Sequence, residues 1–396
     1  MKVYIVGTGM DGGSTLTREA ENAINEAGLL IGAERVLRPF SGLGKETHIA
    51  YIARDIADKL GSADCGAAAV LMSGDCGFFS GSKKLLPLLE GHDVRIVAGV
   101  SSAAYFCGRV GLSYEKMKFV TLHGRASNIA VNVRMNERCF FLLGGEMSAA
   151  DVCARLCEFG LGGVTVHIGS DLGYENERIM VGKASELVDC EAGGLSVMIT
   201  ENRDAPGFVP SAISDDSFRR ETVPMTKAEV RCAAVSRLNI CADSVVWDVG
   251  CGTGSVSVEA AYRCPDGKVL AFDKKPEAAA LTAENARLFG CDNIEAVTGE
   301  CPEILADAQA PDKVFIGGSS GNMEGIFEAV CSKNPRADVV VTAVSLETLH
   351  EAADCFERRG ISPYIAQIAV TRTRKIGSHT MLDALNPVFI VGGRLS

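Results

Sequence analysis

Val245-Val246-Trp247-Asp248-Val249 runs straight into Gly250-Cys251-Gly252-Thr253-Gly254, and a helix-forming stretch, Ser255 to Tyr262, follows at once. A hydrophobic strand that breaks into a glycine turn and then a helix belongs at the carboxyl edge of an open α/β sheet. Glycine supplies the positive φ such a turn needs and lets a ligand approach the backbone, while the helix start presents unpaired N–H donors. The spacing is G-x-G-x-G, one residue tighter than the G-x-G-x-x-G that seats a pyrophosphate on a helix dipole. Asp248 stands just before it, and a carboxylate there favours a cationic group on the ligand.

Asp273 lies twenty-one residues after Gly252 and closes the predicted strand Lys268 to Phe272, where a carboxylate can accept both hydroxyls of a ribose. A nucleoside with a cationic end and no pyrophosphate answers all three constraints. S-adenosylmethionine (SAM), with its ammonium and sulfonium groups, is such a molecule.

The surrounding chain repeats the same grammar. Strands are predicted at Val245 to Val249, Val269 to Phe272, Ile294 to Val297, Val314 to Ile316, Val339 to Val341, Tyr364 to Val370 and Val388 to Val391, with a helix over Ala228 to Leu238 leading in. They describe a doubly wound sheet whose last two strands, joined without an obvious helix, form an antiparallel edge. Upstream, strands at Val3 to Val6, Ala67 to Met72, Val94 to Ala98, Phe140 to Leu143, Val164 to Ile168 and Leu195 to Ile199 alternate with amphipathic stretches such as Thr15 to Ala27 and Tyr51 to Leu60. That alternation predicts parallel βαβ units. Between them Pro206, Gly207, Pro210, Asp215, Asp216 and Pro224 accumulate, so the chain divides into an α/β domain over 1–202, a linker over 203–223 and a second α/β domain over 224–396.

The first half has glycine turns of its own. Val6-Gly7-Thr8-Gly9, Ser73-Gly74-Asp75-Cys76-Gly77 and Ala98-Gly99-Val100-Ser101-Ser102-Ala103 each follow a strand directly. Three such turns place flexible backbone on one edge of one sheet, where open α/β sheets bind ligands.

Composition narrows the partners. A chain of 396 residues with 47% hydrophobic and 22% charged residues holds two or three folding units and a large core. Its net charge of −11 excludes non-specific wrapping of nucleic acid or of an anionic membrane. No apolar run is long enough to span a bilayer, and Val3 to Val6 ends at Gly7 without a cationic flank or cleavage site. Fifteen cysteines, odd in number and without a C-x-x-C pair, point to a reducing cytoplasm; Cys153 and Cys157 share a predicted helix as small hydrophobes. Six scattered histidines without H-E-x-x-H spacing predict no bound metal.

Four blocks in the second half carry a family likeness: Met225-Thr226-Lys227-Ala228-Glu229-Val230-Arg231, the Asp248 to Gly254 turn, Gly299-Glu300-Cys301-Pro302-Glu303, and Phe315-Ile316-Gly317-Gly318-Ser319-Ser320-Gly321. From about Pro224 onward the chain resembles the C15-methylating, decarboxylating precorrin methyltransferases of cobalamin biosynthesis, a class I SAM-dependent fold. The resemblance implies that Thr226, Gly250, Cys251, Gly252, Thr253, Gly254, Asp273 and Cys301 line a SAM site, with Glu300 helping to position the cofactor and Gly317 and Gly318 meeting substrate. From Met1 to about Asn202 the chain resembles the tetrapyrrole methylases, a two-lobed class III SAM-dependent fold, and in particular their C5-methylating members. Where this chain has Met10 and Cys76 the family commonly has proline. That resemblance implies SAM contacts at Gly7, Gly9, Gly74, Asp75, Ser102, Ala103 and Leu143, and a substrate-facing element at His123-Gly124-Arg125.

Together the two resemblances imply a bifunctional enzyme that methylates carbons 5 and 15 of a precorrin and releases carbon dioxide, with one SAM per domain and a homo-oligomeric assembly. A precorrin carries many carboxylates, so an acidic protein must focus positive side chains at its cleft. Arg125 in the first half and Arg231, Arg372, Arg374 and Lys375 in the second are the candidates. Three other readings stay open: a SAM-dependent methylase of another substrate, a dehydrogenase, which would need a pyrophosphate-sized loop, and a non-catalytic corrinoid-binding protein. Methylation of RNA is opposed by the acidic balance and by Gly317-Gly318, which stand where an N-P-P-Y type tetrapeptide would be.

Overall fold

Strand β1 (Lys2–Gly7) shows why the first sheet forms: Val3 and Ile5 point into one apolar cluster with Ile31, Ile56 and Val70, while Tyr4 and Val6 point into another with Ile24, Leu30 and Leu71. A strand buried on both faces belongs in a parallel sheet covered by helices. The structure, a computed structural model, describes residues 1–123, 127–145 and 147–395. It divides into two compact units, the first of Met1–Ala126, Arg138–Val152 and Thr165–Glu201, the second of Ser127–Glu137, Cys153–Val164 and Asn202–Ser396.

In the first unit β1, β2 (Leu29–Gly32), β3 (Glu46–Ile49), β4 (Ala67–Met72) and β5 (Asp93–Val97) form an all-parallel sheet in the order β3-β2-β4-β1-β5. A second sheet holds β6 (Lys118–Thr121), β7 (Arg138–Leu142), β8 (Thr165–Ser170), β9 (Arg178–Lys183) and β10 (Ser196–Glu201), ordered β6-β7-β10-β8-β9. Here the expectation of parallel units fails: only β6 and β7 run parallel, and the remaining pairs are antiparallel. Buried runs such as Val197 to Thr200 look alike in either sense, so burial alone does not tell direction.

The second unit is built on a seven-stranded sheet of β11 (Val245–Val249), β12 (Lys268–Asp273), β13 (Ile294–Thr298), β14 (Lys313–Ile316), β15 (Asp338–Ala343), β16 (Tyr364–Ile368) and β19 (Val388–Arg394), in the order β13-β12-β11-β14-β15-β19-β16. As expected, the last two strands are antiparallel to each other, and β19 inserts between β15 and β16. Between them lies a hairpin that the sequence pattern did not announce, β17 (Thr371–Ile376) with β18 (His379–Ala384). The order reverses between β11 and β14, which leaves a crevice outside their carboxyl ends. Helix Ala228–Arg237 packs Ala234, Val235 and Leu238 on Phe315, Val340 and Ile390.

Residues 203–223, expected as a linker, are packed into the second unit. Asp215 and Phe218 are buried, the Ile213 N–H donates to Glu259 at 3.1 Å and the Arg219 N–H to Asn285 at 2.9 Å. The same unit holds helix Ala130–Met135, whose start is capped by Asp292 accepting from the N–H groups of Ile129, Ala130 and Val131 at 2.8 to 2.9 Å. No helix among the described residues is long and apolar enough to cross a membrane.

Candidate functional site

The glycine turn of the second unit is laced before any ligand enters. Gly250 and Cys251 donate to the Phe272 carbonyl at 2.8 and 3.0 Å, and Gly252 donates to the Asp273 carboxylate at 3.0 Å. Gly250, Gly252 and Gly254 have φ of 76°, 55° and 71°, the left-handed region where a side chain is strained. A Cβ on Gly250 would lie 2.7 Å from the Gly318 nitrogen, and one on Gly252 2.9 Å from the Pro224 carbonyl. The glycines are therefore needed first for the turns to touch one another.

Around this turn opens a cleft of about 840 Å³ at the carboxyl edge of the sheet. It brings together Thr226, Asp248, Gly250, Cys251, Gly252, Asp273, Glu300, Cys301, Gly317 and Gly318, as the sequence predicts. Thr253 and Gly254 turn inward instead. Thr253 is buried with its carbonyl on Asn285, and Gly254 packs on Thr282. Lys227, Lys274, Lys275, Asn322, Thr342, Val344, Leu385 and Asn386 also line the cleft and were missed. Most of them follow the end of a strand or flank a turn, the signal that could have found them.

Asp248 is the telling residue. It is 1% exposed; one carboxylate oxygen accepts from the Ser257 hydroxyl and the other, Oδ1, has no partner among the described residues. Burial, aided by the charge of Asp273 and opposed by the Ser257 hydroxyl, pushes its carboxyl up to about 7. Asp248 lines the cleft, and an acceptor buried there without a partner fits a cationic donor that reaches it. Asp273 uses one acceptor site on each oxygen, for Gly252 and for the Lys275 N–H at 3.0 Å, and a carboxylate has about four. The remaining sites suit vicinal hydroxyls, so the residues present fit SAM. Burial raises the Cys301 thiol to about 12 and the Cys251 thiol further, so neither is a thiolate at neutral pH.

The arginines do not line this cleft. Arg231 is fully buried, its Nε 2.7 Å from Glu259, its Nη1 3.3 Å from Asp215 and 2.7 Å from the Thr226 carbonyl, with Nη2 on the Ile213 carbonyl. A guanidinium sealed among those acceptors cannot reach a ligand, which corrects its reading as a substrate contact. Arg372 is held by Glu229 at 2.5 Å and Asp215 at 2.9 Å, and its charge is reinforced first by Glu229 and then by Asp215. Arg374 lies 3.9 Å from Asp383 within its own hairpin, and Lys375 sits beside it on β17.

In the first unit the three turns meet at backbone distance. Gly9 and Gly74 exchange N–H···O bonds at 3.1 and 2.8 Å, and a Cβ on Gly7 would lie 2.7 Å from both the Gly74 carbonyl and the Gly99 nitrogen. Asp75 ties the second turn to the third by accepting from Gly77 at 2.8 Å and Gly99 at 2.9 Å. Ser101 caps helix Ser102–Val110, and Ala103 is buried against Phe106. Leu143 is buried and donates its N–H to Ser196, while the exposed His123 stands against Gly144. Met10 fills a core position with Phe140 and Leu172, and Cys76 is buried with its thiol 3.5 Å from two strand carbonyls. Arg125 and Gly124 lie outside the described residues.

Comparison with known proteins agrees with both halves. Residues 2–188 match the tetrapyrrole (corrin/porphyrin) methylases, and residues 187–392, more than half of the chain, match the precorrin methyltransferase domain. The chain belongs to the precorrin methyltransferase family. Its members are SAM-dependent methyltransferases of α/β fold. A probable decarboxylating cobalt-precorrin-6B C(15)-methyltransferase of Pyrobaculum calidifontis is 41% identical over 187 residues, 46% of this chain and 96% of the relative. A decarboxylating precorrin-6Y C(5,15)-methyltransferase of a Sinorhizobium species is 27% identical over 392 residues, 97% of this chain and 94% of the relative. The crystal structure of a precorrin-6Y C5,15-methyltransferase from Geobacter metallireducens is 35% identical with a TM-score of 0.45, covering 47% of this chain and 97% of that one.

Proposed function

We propose that this chain is a bifunctional C-methyltransferase of cobalamin biosynthesis. The first unit methylates carbon 5 of a precorrin; the second methylates carbon 15 and removes carbon dioxide from the ring C acetate. Each unit holds one SAM. The observation that carries the reading is the presence in one chain of both family matches, end to end, with a two-activity relative aligned along nearly its whole length.

When bound, SAM supplies an electrophilic methyl group, and electron-rich enamine carbons of the macrocycle are the nucleophiles. The protein then needs no nucleophile of its own, in keeping with the protonated thiols of Cys251 and Cys301. Its task is to hold the reactants in line and exclude water. In the second unit Asp248 offers an open acceptor to the cofactor's ammonium, Asp273 offers acceptors to its hydroxyls, and the rigid turn Gly250 to Gly252 forms the wall beside them. In the first unit the convergent turns of Gly7, Gly74 and Gly99 offer backbone rather than side chains. As carbon dioxide leaves the acetate, the electron pair of the broken bond stays with the conjugated ring.

Incubating the purified chain with labelled SAM and a precorrin-6B-type substrate, with and without cobalt, is the direct test. Two methyl groups and one carbon dioxide per ring are expected. A ring that gains no label overturns the reading, and the cobalt arms identify the natural form of the substrate.

A further inference from the structure

Charge is distributed unevenly around the cleft of the second unit. On the side of β12 and β13 it is lined by Asp273, Lys274, Lys275, Glu277, Glu300 and Glu303. At the ends of β14, β15 and β19 the described lining residues are uncharged, among them Gly317, Ser319, Asn322, Thr342, Val344 and Val388. One cation serves that uncharged side. Lys227 immediately precedes helix Ala228–Arg237, which packs on β14, β15 and β19, and it lines the cleft.

Stability does not account for a lysine at this position. The residue that opens a helix is best Ser, Thr, Asp or Asn, whose side chain accepts from the first turn, and a cation there opposes the helix dipole. The Lys227 side chain makes no capping bond, and the Ala228 N–H is instead satisfied by Asp215 at 3.0 Å. No hydrogen bond or ion pair of the Lys227 ammonium occurs among the described residues, whereas Arg231, Arg372 and Arg374 all face carboxylates.

We propose that Lys227 is the carboxylate anchor of the uncharged side of this cleft, the residue by which it prefers a ring bearing acidic side chains. The proposal rests on the reading of the cleft as a precorrin site. A carboxylate moved from water against an uncharged wall loses hydration and needs a cation to replace it. An ammonium on a four-carbon stem supplies three donors and the reach to follow a side chain at the ring's edge.

Steady-state assays on the full chain test this, with carbon dioxide release as the readout because the second unit alone performs that step. Lys227→Ser is expected to raise KM for the precorrin about tenfold, the size of one charge-assisted hydrogen bond, with kcat within about twofold. Its Tm should hold or rise, since serine caps the helix, and Lys227→Arg should restore most of the KM. Added salt should raise KM in the parent protein and less so in Lys227→Ser. An unchanged KM, or a parallel loss of SAM affinity by calorimetry, overturns the proposal. Failure of the unaltered protein to release carbon dioxide overturns the precorrin reading, and the anchor with it.

Discussion

Both units place an aspartate beside a glycine turn at the end of a strand, and the two carboxylates differ in their partners. Asp75 has each oxygen on a backbone N–H, Gly77 and Gly99, and Asp11 is likewise enclosed by Gly13, Ser14 and Thr15. Burial works to raise the Asp11 carboxyl, but those bonds prevail and hold it at about 2. Asp248 keeps one oxygen open in a buried site and is pushed up to about 7, burial being the main cause. A charge already bonded within the protein holds turns and elements together, whereas an oxygen without a partner on a cleft-lining residue can take a ligand's donor. Residue type is shared, so the difference lies in the partners.

The largest test of that distinction is on the saturated kind of charge. Arg231→Ala strands Glu259 and Asp215 inside the second unit and should cost about 3–5 kcal/mol in chemical unfolding. Were Arg231 a substrate contact, stability would hold and KM would rise instead. Next in size, Asp75→Asn should cost about 1.5–3 kcal/mol, because an amide turned toward Gly99 cannot accept as the carboxylate does. Asp248→Asn measured beside it at pH 8 should lose nothing. The sign follows from proton counts: a carboxyl raised from 3.8 to about 7 on folding binds more protons folded than unfolded, so its contribution declines as pH climbs between those values and is flat above. The amide avoids that decline.

How much of this was legible in the sequence follows the same divide. The Asp248 to Gly254 turn, Asp273 twenty-one residues on, and the parallel β1 and β4 are local patterns, and the structure keeps them. What was not legible depends on distant partners. Arg231 reads as a candidate for the substrate's carboxylates, and only the packing of its helix on the one that carries Glu259 makes the two a buried pair. Arg372 sits in a basic run that suggests a ligand patch, yet Asp215 and Glu229, more than a hundred residues earlier, hold it. One lysine in a motif carries no local sign of being unpaired, so the sequence does not single out Lys227.

A smaller effect sharpens the open-oxygen side of the comparison. Binding of SAM should favour the ionised form of Asp248 and release a proton below about pH 7, so affinity should rise by up to tenfold per pH unit toward that value and then level. Calorimetry on the full chain across pH 5.5 to 8.5 reads this directly, and Asp248→Asn should flatten the profile. A flat profile in the parent protein would mean that the open oxygen does not face the cation.

The smallest effect is expected at Arg372. Its side chain is 37% exposed and Glu229 is 44% exposed, so solvent and salt weaken their attraction even though Asp215 is buried. Arg372→Ala should therefore cost about 1 kcal/mol or less in unfolding, against the several expected for Arg231→Ala, although both arginines touch Asp215. The comparison isolates burial, because the shared carboxylate is the same in both variants. An equal loss for the two would mean that the Asp215 carboxylate, rather than the sealed guanidinium beside Glu259, is what the second unit depends on.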